Sequence, residues 1–177
     1  MTFHFKSFSI KQEQSAMKVG TDGVLLGAWT KPSSYPHQIL DLGTGTGLVA
    51  IMLAQRFSSS QIHAIDIDRE SVQEALFNAQ SSPWSERLNI IHCDFKDYNP
   101  SNKYDLIVSN PPYFRNTTLS NDKSRVIARY NLALSLDYLI KKSYDLLIEN
   151  GELALIVPSN EYEICLLYTS PSPRDSS

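Results

Sequence analysis

The sequence predicts an α/β protein: a doubly wound, mainly parallel sheet with helices on both faces. Three observations predict it. Short apolar runs alternate along the chain with patterns of helical period, as βαβ units require. The runs are apolar enough to be buried on both faces, the mark of a parallel sheet rather than a half-solvated one. A glycine-rich turn, "DLGTGTG" (41–47), joins the first apolar run to the first long helical pattern.

In chain order, "TDGVLLGAWT" (21–30) reads as a short helix with Thr21 or Asp22 as its cap. "QILDLG" (38–43) is a first strand, and "LVAIMLAQRF" (48–57) a helix that is apolar nearly all round. "QIHAIDI" (61–67) is a second strand. "DRESVQEALFNAQ" (68–80) is an amphipathic helix, with Val72, Ala75, Leu76 and Ala79 on one stripe. "LNIIHCDF" (88–95) and "YDLIVSN" (104–110) are the third and fourth strands. "LDYLIKKSYDLLIENG" (136–151) is a helix with Leu136, Leu139, Ile140, Leu146 and Leu147 inward, ended by Asn150-Gly151. "ELALIVP" (152–158) is a fifth strand.

Two stretches break the alternation. Residues 115–131 are polar, without clear period and long for a loop, and such loops in compact domains are often functional. From residue 165, "CLLYTSPSPRDSS" abandons the pattern, and its serine and proline content reads as a disordered or foreign tail. The domain is therefore drawn over residues 1–164, with 1–30 as a leading segment and 165–177 as the tail. With no strand expected beyond it, "ELALIVP" is expected to form a sheet edge with apolar surface exposed near Leu153, Leu155 and Val157.

Composition narrows the class. The 177 residues suffice for one domain with a full core, and 42% hydrophobic with 20% charged residues is ordinary for a globular chain. No apolar run approaches the roughly 20 residues of a membrane span, and the first ten residues lack the layout of a signal peptide. Cys93 and Cys165 suggest neither a disulfide framework nor a zinc site, and His4, His37, His63 and His92 are scattered. No metal and no membrane partner is expected, and the cytoplasm is the default compartment. The net charge of −3 hides an asymmetry. Residues 41–110 carry an excess of acids, whereas 115–142 hold Arg115, Lys123, Arg125, Arg129, Lys141 and Lys142 against Asp122 and Asp137. That basic stretch can dock a polyanion, or it is a solvated face.

The glycine turn points to a ligand. Gly43, Gly45 and Gly47 do not follow the dinucleotide spacing, and no Lys-Ser/Thr pair follows them, so a P-loop is excluded. Asp66 ends the second strand and can accept both hydroxyls of a ribose. The turn holds no basic residue for a pyrophosphate. A ribose-bearing ligand without phosphate points to S-adenosylmethionine. "ILDLGTGTG" resembles the first motif of class I S-adenosylmethionine-dependent methyltransferases, "AIDID" their ribose motif and "HCDF" their adenine motif. The resemblance implies a Rossmann-like fold with strand order 3-2-1-4-5-7-6. It also implies that Asp41 helps hold the glycine loop and the cofactor's amino-acid end and that Asp94 meets the adenine amino group; otherwise Asp94 is a carboxylate in a turn.

After the fourth strand comes "SNPPYF" (109–114), in which two prolines end any ladder. "NPPY" resembles the motif of methyltransferases that act on planar amide-like or exocyclic amine nitrogens. Asn110 and the Pro111 carbonyl would accept N–H hydrogen bonds from the target, and Tyr113 would stack on it. Enzymes with this motif modify adenine N6, guanine N2 or a release-factor glutamine. "FSIKQEQSAMKVGTDGVLLGAW" (8–29), with "NPPYF" and "ARYNLALSLDYLI" (128–140), is similar to the bacterial tRNA1(Val) adenine-N6 methyltransferases. That likeness implies tRNA as partner and Lys18, Thr21 and Asp22 closing over the cofactor. It places Arg115, Lys123, Arg125 and Arg129 against anticodon-loop phosphates, on a chain expected to be a monomer. The alternatives are a release-factor glutamine methyltransferase and a non-catalytic cofactor-binding module.

Overall fold

The structure, a computed structural model, describes residues 1–15, 18–111 and 136–157. Tyr113, the basic stretch 115–131 and the tail from 165 lie outside the described residues. The main sheet contains β3 (Gln38–Leu42), β4 (Gln61–Asp66), β5 (Leu88–His92), β6 (Tyr104–Ser109) and β7 (Leu147–Leu155). These strands run in the order β5-β4-β3-β6-β7, and every pairing is parallel. The expected order 3-2-1-4-5 is therefore the one observed. The chain steps outward from β3 through β4 to β5, then returns to place β6 on the other side of β3. That reversal opens a crevice at the carboxyl ends of β3 and β6, the usual place for a ligand in such sheets.

Helices cover both faces. On one face, α1 (Thr21–Trp29) and α2 (Leu48–Arg56) close a core of Ile39, Leu53, Ile62, Leu106 and Val108. On the other, α4 (Leu136–Leu146) brings Leu139 and Ile140 onto Leu40, Leu42, Ile65 and Ile107. α3 (Arg69–Gln80) follows β4. Its cap is Asp68, which accepts from the Ser71 amide at 3.0 Å.

Several expectations need correction. α1 is capped by Gly20, with no side-chain bond, so Thr21 and Asp22 are its first helical residues rather than its cap. α4 stops at Leu146, five residues early. Leu147 already pairs with Tyr104, and Asn150, at φ 63°, turns the chain so that pairing resumes at Glu152 with Leu106. On α3, Val72, Ala75 and Ala79 are buried, but Leu76 is exposed. Its place on the buried side is taken by Ser71, Glu74 and Asn78. β7 is the outer strand among the described residues, and Leu153, Leu155 and Val157 are half-buried, each leaving part of its apolar surface open.

The N-terminus adds structure not expected. β1 (Thr2–His4) and β2 (Ser9–Lys11) form an antiparallel hairpin. Phe8 and Ile10 pack with Leu48 and Ile51 of α2, and Phe8 meets Trp84 edge-on at 5.9 Å between ring centres. α1 lies close on α2 because it presents glycine at the contact. A Cβ on Gly27 would come within 2.9 Å of the Met52 Cβ, and one on Gly23 within 3.3 Å of Leu48. Arg56 then closes α1, donating to the carbonyls of Gly27 and Thr30 at 2.7 and 2.6 Å.

Candidate active site

A cavity of about 250 Å³ occupies the crevice. Lys18, Gly20, Thr21, Asp22 and Gly23 wall it on the side of α1; Asp41 and residues 43–46 supply the glycine loop; and Asn110 closes it from the end of β6. Residues far apart in sequence meet here because β3 and β6 are neighbours. Register pairs Leu42 with Ser109, and the Ser109 hydroxyl donates to the Leu42 carbonyl at 2.7 Å. The glycine loop and Asn110 therefore leave the sheet side by side.

The loop is held by carboxylates. Asp41, 1% exposed, accepts from the Thr44 hydroxyl at 2.7 Å and from the Ala50 amide at 3.1 Å. Burial raises its pKa to about 7 against the pull of those two bonds. Asp66 is also buried, and its two oxygens accept from the amides of Gly45 (2.8 Å) and Asp68 (2.9 Å). Burial again pushes its pKa upward, and the amide bonds oppose the shift. The loop backbone needs glycine where it turns. Gly45 and Gly47 have φ of 56° and 82°, which side chains rarely tolerate. A Cβ on Gly47 would also stand 3.3 Å from Ala75 of α3.

Of the residues singled out from the sequence, Lys18, Thr21, Asp22, Asp41, Gly43, Gly45 and Asn110 line the one cavity. Gly47, Asp66 and Asp94 do not. Gly47 caps α2 behind the loop. Asp66 sits beneath Gly45 through the hydrogen bond described above. Asp94 is half-buried past the end of β5 and accepts from the Lys96 amide at 2.9 Å, closing its own turn. Pro111 follows Asn110 directly, whereas Tyr113, Arg115, Lys123, Arg125 and Arg129 lie outside the described residues.

Sequence reasoning missed how the N-terminal segment is anchored. Glu74, 3% exposed, accepts from the amides of Glu13, Gln14 (2.9 Å) and Ser15 (2.9 Å). Asn78 exchanges two bonds of 2.8 Å with the Lys11 backbone and donates to the Thr46 carbonyl at 2.8 Å. The only signal was that Ser71, Glu74 and Asn78 share a helix face at spacings of three and four.

A parallel sheet with this strand reversal, a glycine loop after the first main strand and an acidic residue ending the next define the class I S-adenosylmethionine-dependent methyltransferase fold. Solved structures agree. A predicted O-methyltransferase from Agrobacterium tumefaciens superposes with a TM-score of 0.64 at 16% identity, over 85% of this chain and 67% of that one. A methyltransferase from Thiobacillus denitrificans, in complex with S-adenosyl-L-homocysteine, superposes at 0.58 with 15% identity, over 89% of this chain and 58% of its own. The model of the methyltransferase small domain matches residues 16–166. Two curated relatives carry the name tRNA1(Val) (adenine(37)-N6)-methyltransferase. That of Flavobacterium psychrophilum is 48% identical over 163 residues, 91% of this chain and 70% of its own length. That of Bacteroides fragilis is 49% identical over 159 residues, covering 88% and 66%. The chain belongs to the tRNA1(Val) (adenine(37)-N6)-methyltransferase family, within the small-domain methyltransferases.

Among the described residues, no group of three or more His, Cys, Asp or Glu side chains is arranged to hold a metal ion. No described helix is long and apolar enough to cross a membrane.

Proposed function

We propose that this chain transfers a methyl group from S-adenosylmethionine to N6 of an adenosine in tRNA, at position 37 beside the anticodon of tRNA1(Val). One observation carries the reading: Asn110 at the end of β6 faces the same cavity as the glycine loop and the Lys18–Gly23 segment. A methyl acceptor held by Asn110 thus stands beside whatever the loop binds.

The residues suit the cofactor. This reading assigns the ribose hydroxyls to Asp66, at the end of β4 beside Gly45 though outside the cavity lining, and an amino-acid carboxylate to Lys18 on the cavity wall. The glycines leave room for backbone to approach the ligand. Asp41 holds the loop through Thr44 and Ala50. The cofactor supplies an electrophilic methyl group on sulfur. The rest of the chemistry falls to the chain.

An exocyclic amine is a weak nucleophile because its lone pair is delocalised into the ring. Accepting its N–H hydrogens at the Asn110 side-chain oxygen and the Pro111 carbonyl favours the pyramidal, positively charged transition state. Both acceptors follow directly on the end of β6, which limits how far they reorganise during reaction. Alignment of nitrogen, methyl and sulfur supplies much of the remaining rate. The proton leaves the nitrogen after transfer and passes to solvent. Tyr113 offers a face on which the unstacked base rests, and Arg115, Lys123, Arg125 and Arg129 meet phosphates of the anticodon loop.

The test is methyl transfer from labelled cofactor to unmodified total tRNA, followed by nucleoside analysis. The expected product is N6-methyladenosine. Label found only on the glutamine of a release factor supplied in parallel overturns the reading.

A further inference from the structure

We propose that Glu74 is a positioning residue for the cofactor: it touches no part of the cavity, yet holds the segment that closes it. The inference rests on the methyltransferase reading of that cavity. Glu74 is absent from the cavity lining and is nine-tenths or more buried inside α3's contact with the N-terminus. A buried carboxylate is costly unless its oxygens are satisfied. Here three consecutive backbone amides, those of Glu13, Gln14 and Ser15, converge on it. The chain must curl around the carboxylate to present three amides in a row, the geometry of an anion-binding nest.

The curled segment is tied at both ends. Behind it, Asn78 fixes the Lys11 backbone and, with the same amide group, the Thr46 carbonyl of the glycine loop. Ahead of it, the Gln12 side chain accepts from the Val19 amide at 2.7 Å, and the Lys18 ammonium donates to the Gln12 carbonyl. Ser15, buried, places its hydroxyl 3.5 Å from where a Cβ on Gly45 would stand. Further along the chain, Lys18 and Gly20 to Gly23 are cavity wall. Residues 12–15 and 18–19 therefore act as a strap whose inner end, at 13–15, rests on Glu74 and whose outer end, from Lys18, forms one side of the cofactor site. Loosening the inner end lowers the fraction of molecules with the wall in place, and apparent affinity falls by that fraction.

The test compares the full chain with Glu74→Gln and Gln12→Ala. The first keeps the side chain's size but turns one acceptor oxygen into an amino group facing an amide N–H. The second opens the strap's own closure and leaves α3 untouched. S-adenosylhomocysteine is titrated by calorimetry, and KM for S-adenosylmethionine and kcat are measured on tRNA. In both variants, binding is expected to weaken and KM to rise by about tenfold or more, with kcat at saturating cofactor within about twofold. Hydrogen exchange of residues 12–19 should quicken in the free variants and slow again on saturation. Folded variants whose Kd and KM match the parent overturn the inference, even if their thermal stability falls, because a purely structural role moves stability alone. If Glu74→Gln does not fold, Gln12→Ala decides alone. A parent chain that binds no S-adenosylhomocysteine overturns the functional reading itself, and the inference with it.

Discussion

On the β3 side of the crevice, three buried carboxylates, Asp41, Asp66 and Glu74, direct their oxygens to backbone amides and one hydroxyl. On the β6 side, Asn110 stands at the end of a strand that is apolar through Leu106, Ile107 and Val108, pinned by the Ser109 hydroxyl. The first wall is shaped by charge held in low dielectric. The second is shaped by a parallel ladder and presents one amide to the cavity. The difference teaches where function and stability separate. Carboxylates that hold backbone cannot be removed without disturbing the loop they hold, whereas Asn110 can change with little effect on the fold.

The sharpest test of that separation is Asn110→Ala. Turnover is expected to fall by about 100-fold or more, the scale of losing one preorganised polar group, while cofactor affinity and melting temperature stay close to those of the parent. Single-turnover methylation and calorimetry on one preparation check it, and full turnover in the variant breaks the comparison. Asp66→Ala acts on the opposite wall. It removes the acceptor for Gly45 and Asp68 and the proposed ribose contact, so cofactor binding should weaken by about 1.5–3 kcal/mol, with stability reduced as well. A variant that loses affinity at unchanged stability would show the two are separable on this wall too.

The helix contact behind the first wall gives a third test, read by denaturant unfolding. Gly27→Ala drives a methyl group into Met52, whose Cβ lies 2.9 Å from the new atom, and overpacking of this kind costs about 1–3 kcal/mol. Gly20→Ala meets nothing nearer than the Lys18 carbonyl at 3.8 Å and should change stability by about 0.5 kcal/mol or less.

A further effect, spread over pH, comes from Asp41. Its folded-state pKa of about 7 lies above the ordinary 3.8, so the folded chain holds this proton more tightly than the unfolded chain does. The stability this gives is fully present below about pH 3.8 and is lost as the pH rises to about 7. For one proton the slope is at most about 1.4 kcal/mol per pH unit. Asp41→Asn should flatten it, seen as a melting temperature that rises relative to the parent's between pH 5 and pH 7.

The main sheet was legible because its strands carry their own signal: apolar runs bounded by turn residues, at spacings that leave room for a crossover helix. The glycine loop was legible for a related reason, since a backbone that must turn with positive φ shows itself as glycine. The N-terminal hairpin was missed although Phe3 and Phe5, then Phe8 and Ile10, alternate on either side of Lys6-Ser7. Three-residue strands are too short for a period to stand out. α4 was drawn too long because Leu146, Leu147 and Ile148 continue a helical pattern. The ladder with β6 claimed Leu147 instead, a tertiary contact no local propensity records. Glu74 and Asn78 were illegible for a deeper reason. On a helix, Glu and Asn outside the apolar stripe read as solvent-facing, and only the distant segment that covers them makes them core.

The three amides gathered by Glu74 also bear on how the chain is made. Their donors lie 59 to 61 positions ahead of the acceptor. During synthesis the strap leaves the ribosome before α3 and has no Glu74 to close on until α3 has been made. A loop of that span must then be closed before any of the three bonds forms. An earlier-made part of the nascent polypeptide is thus ordered only after a later-made one, and the cavity wall it carries is completed on a scaffold already standing.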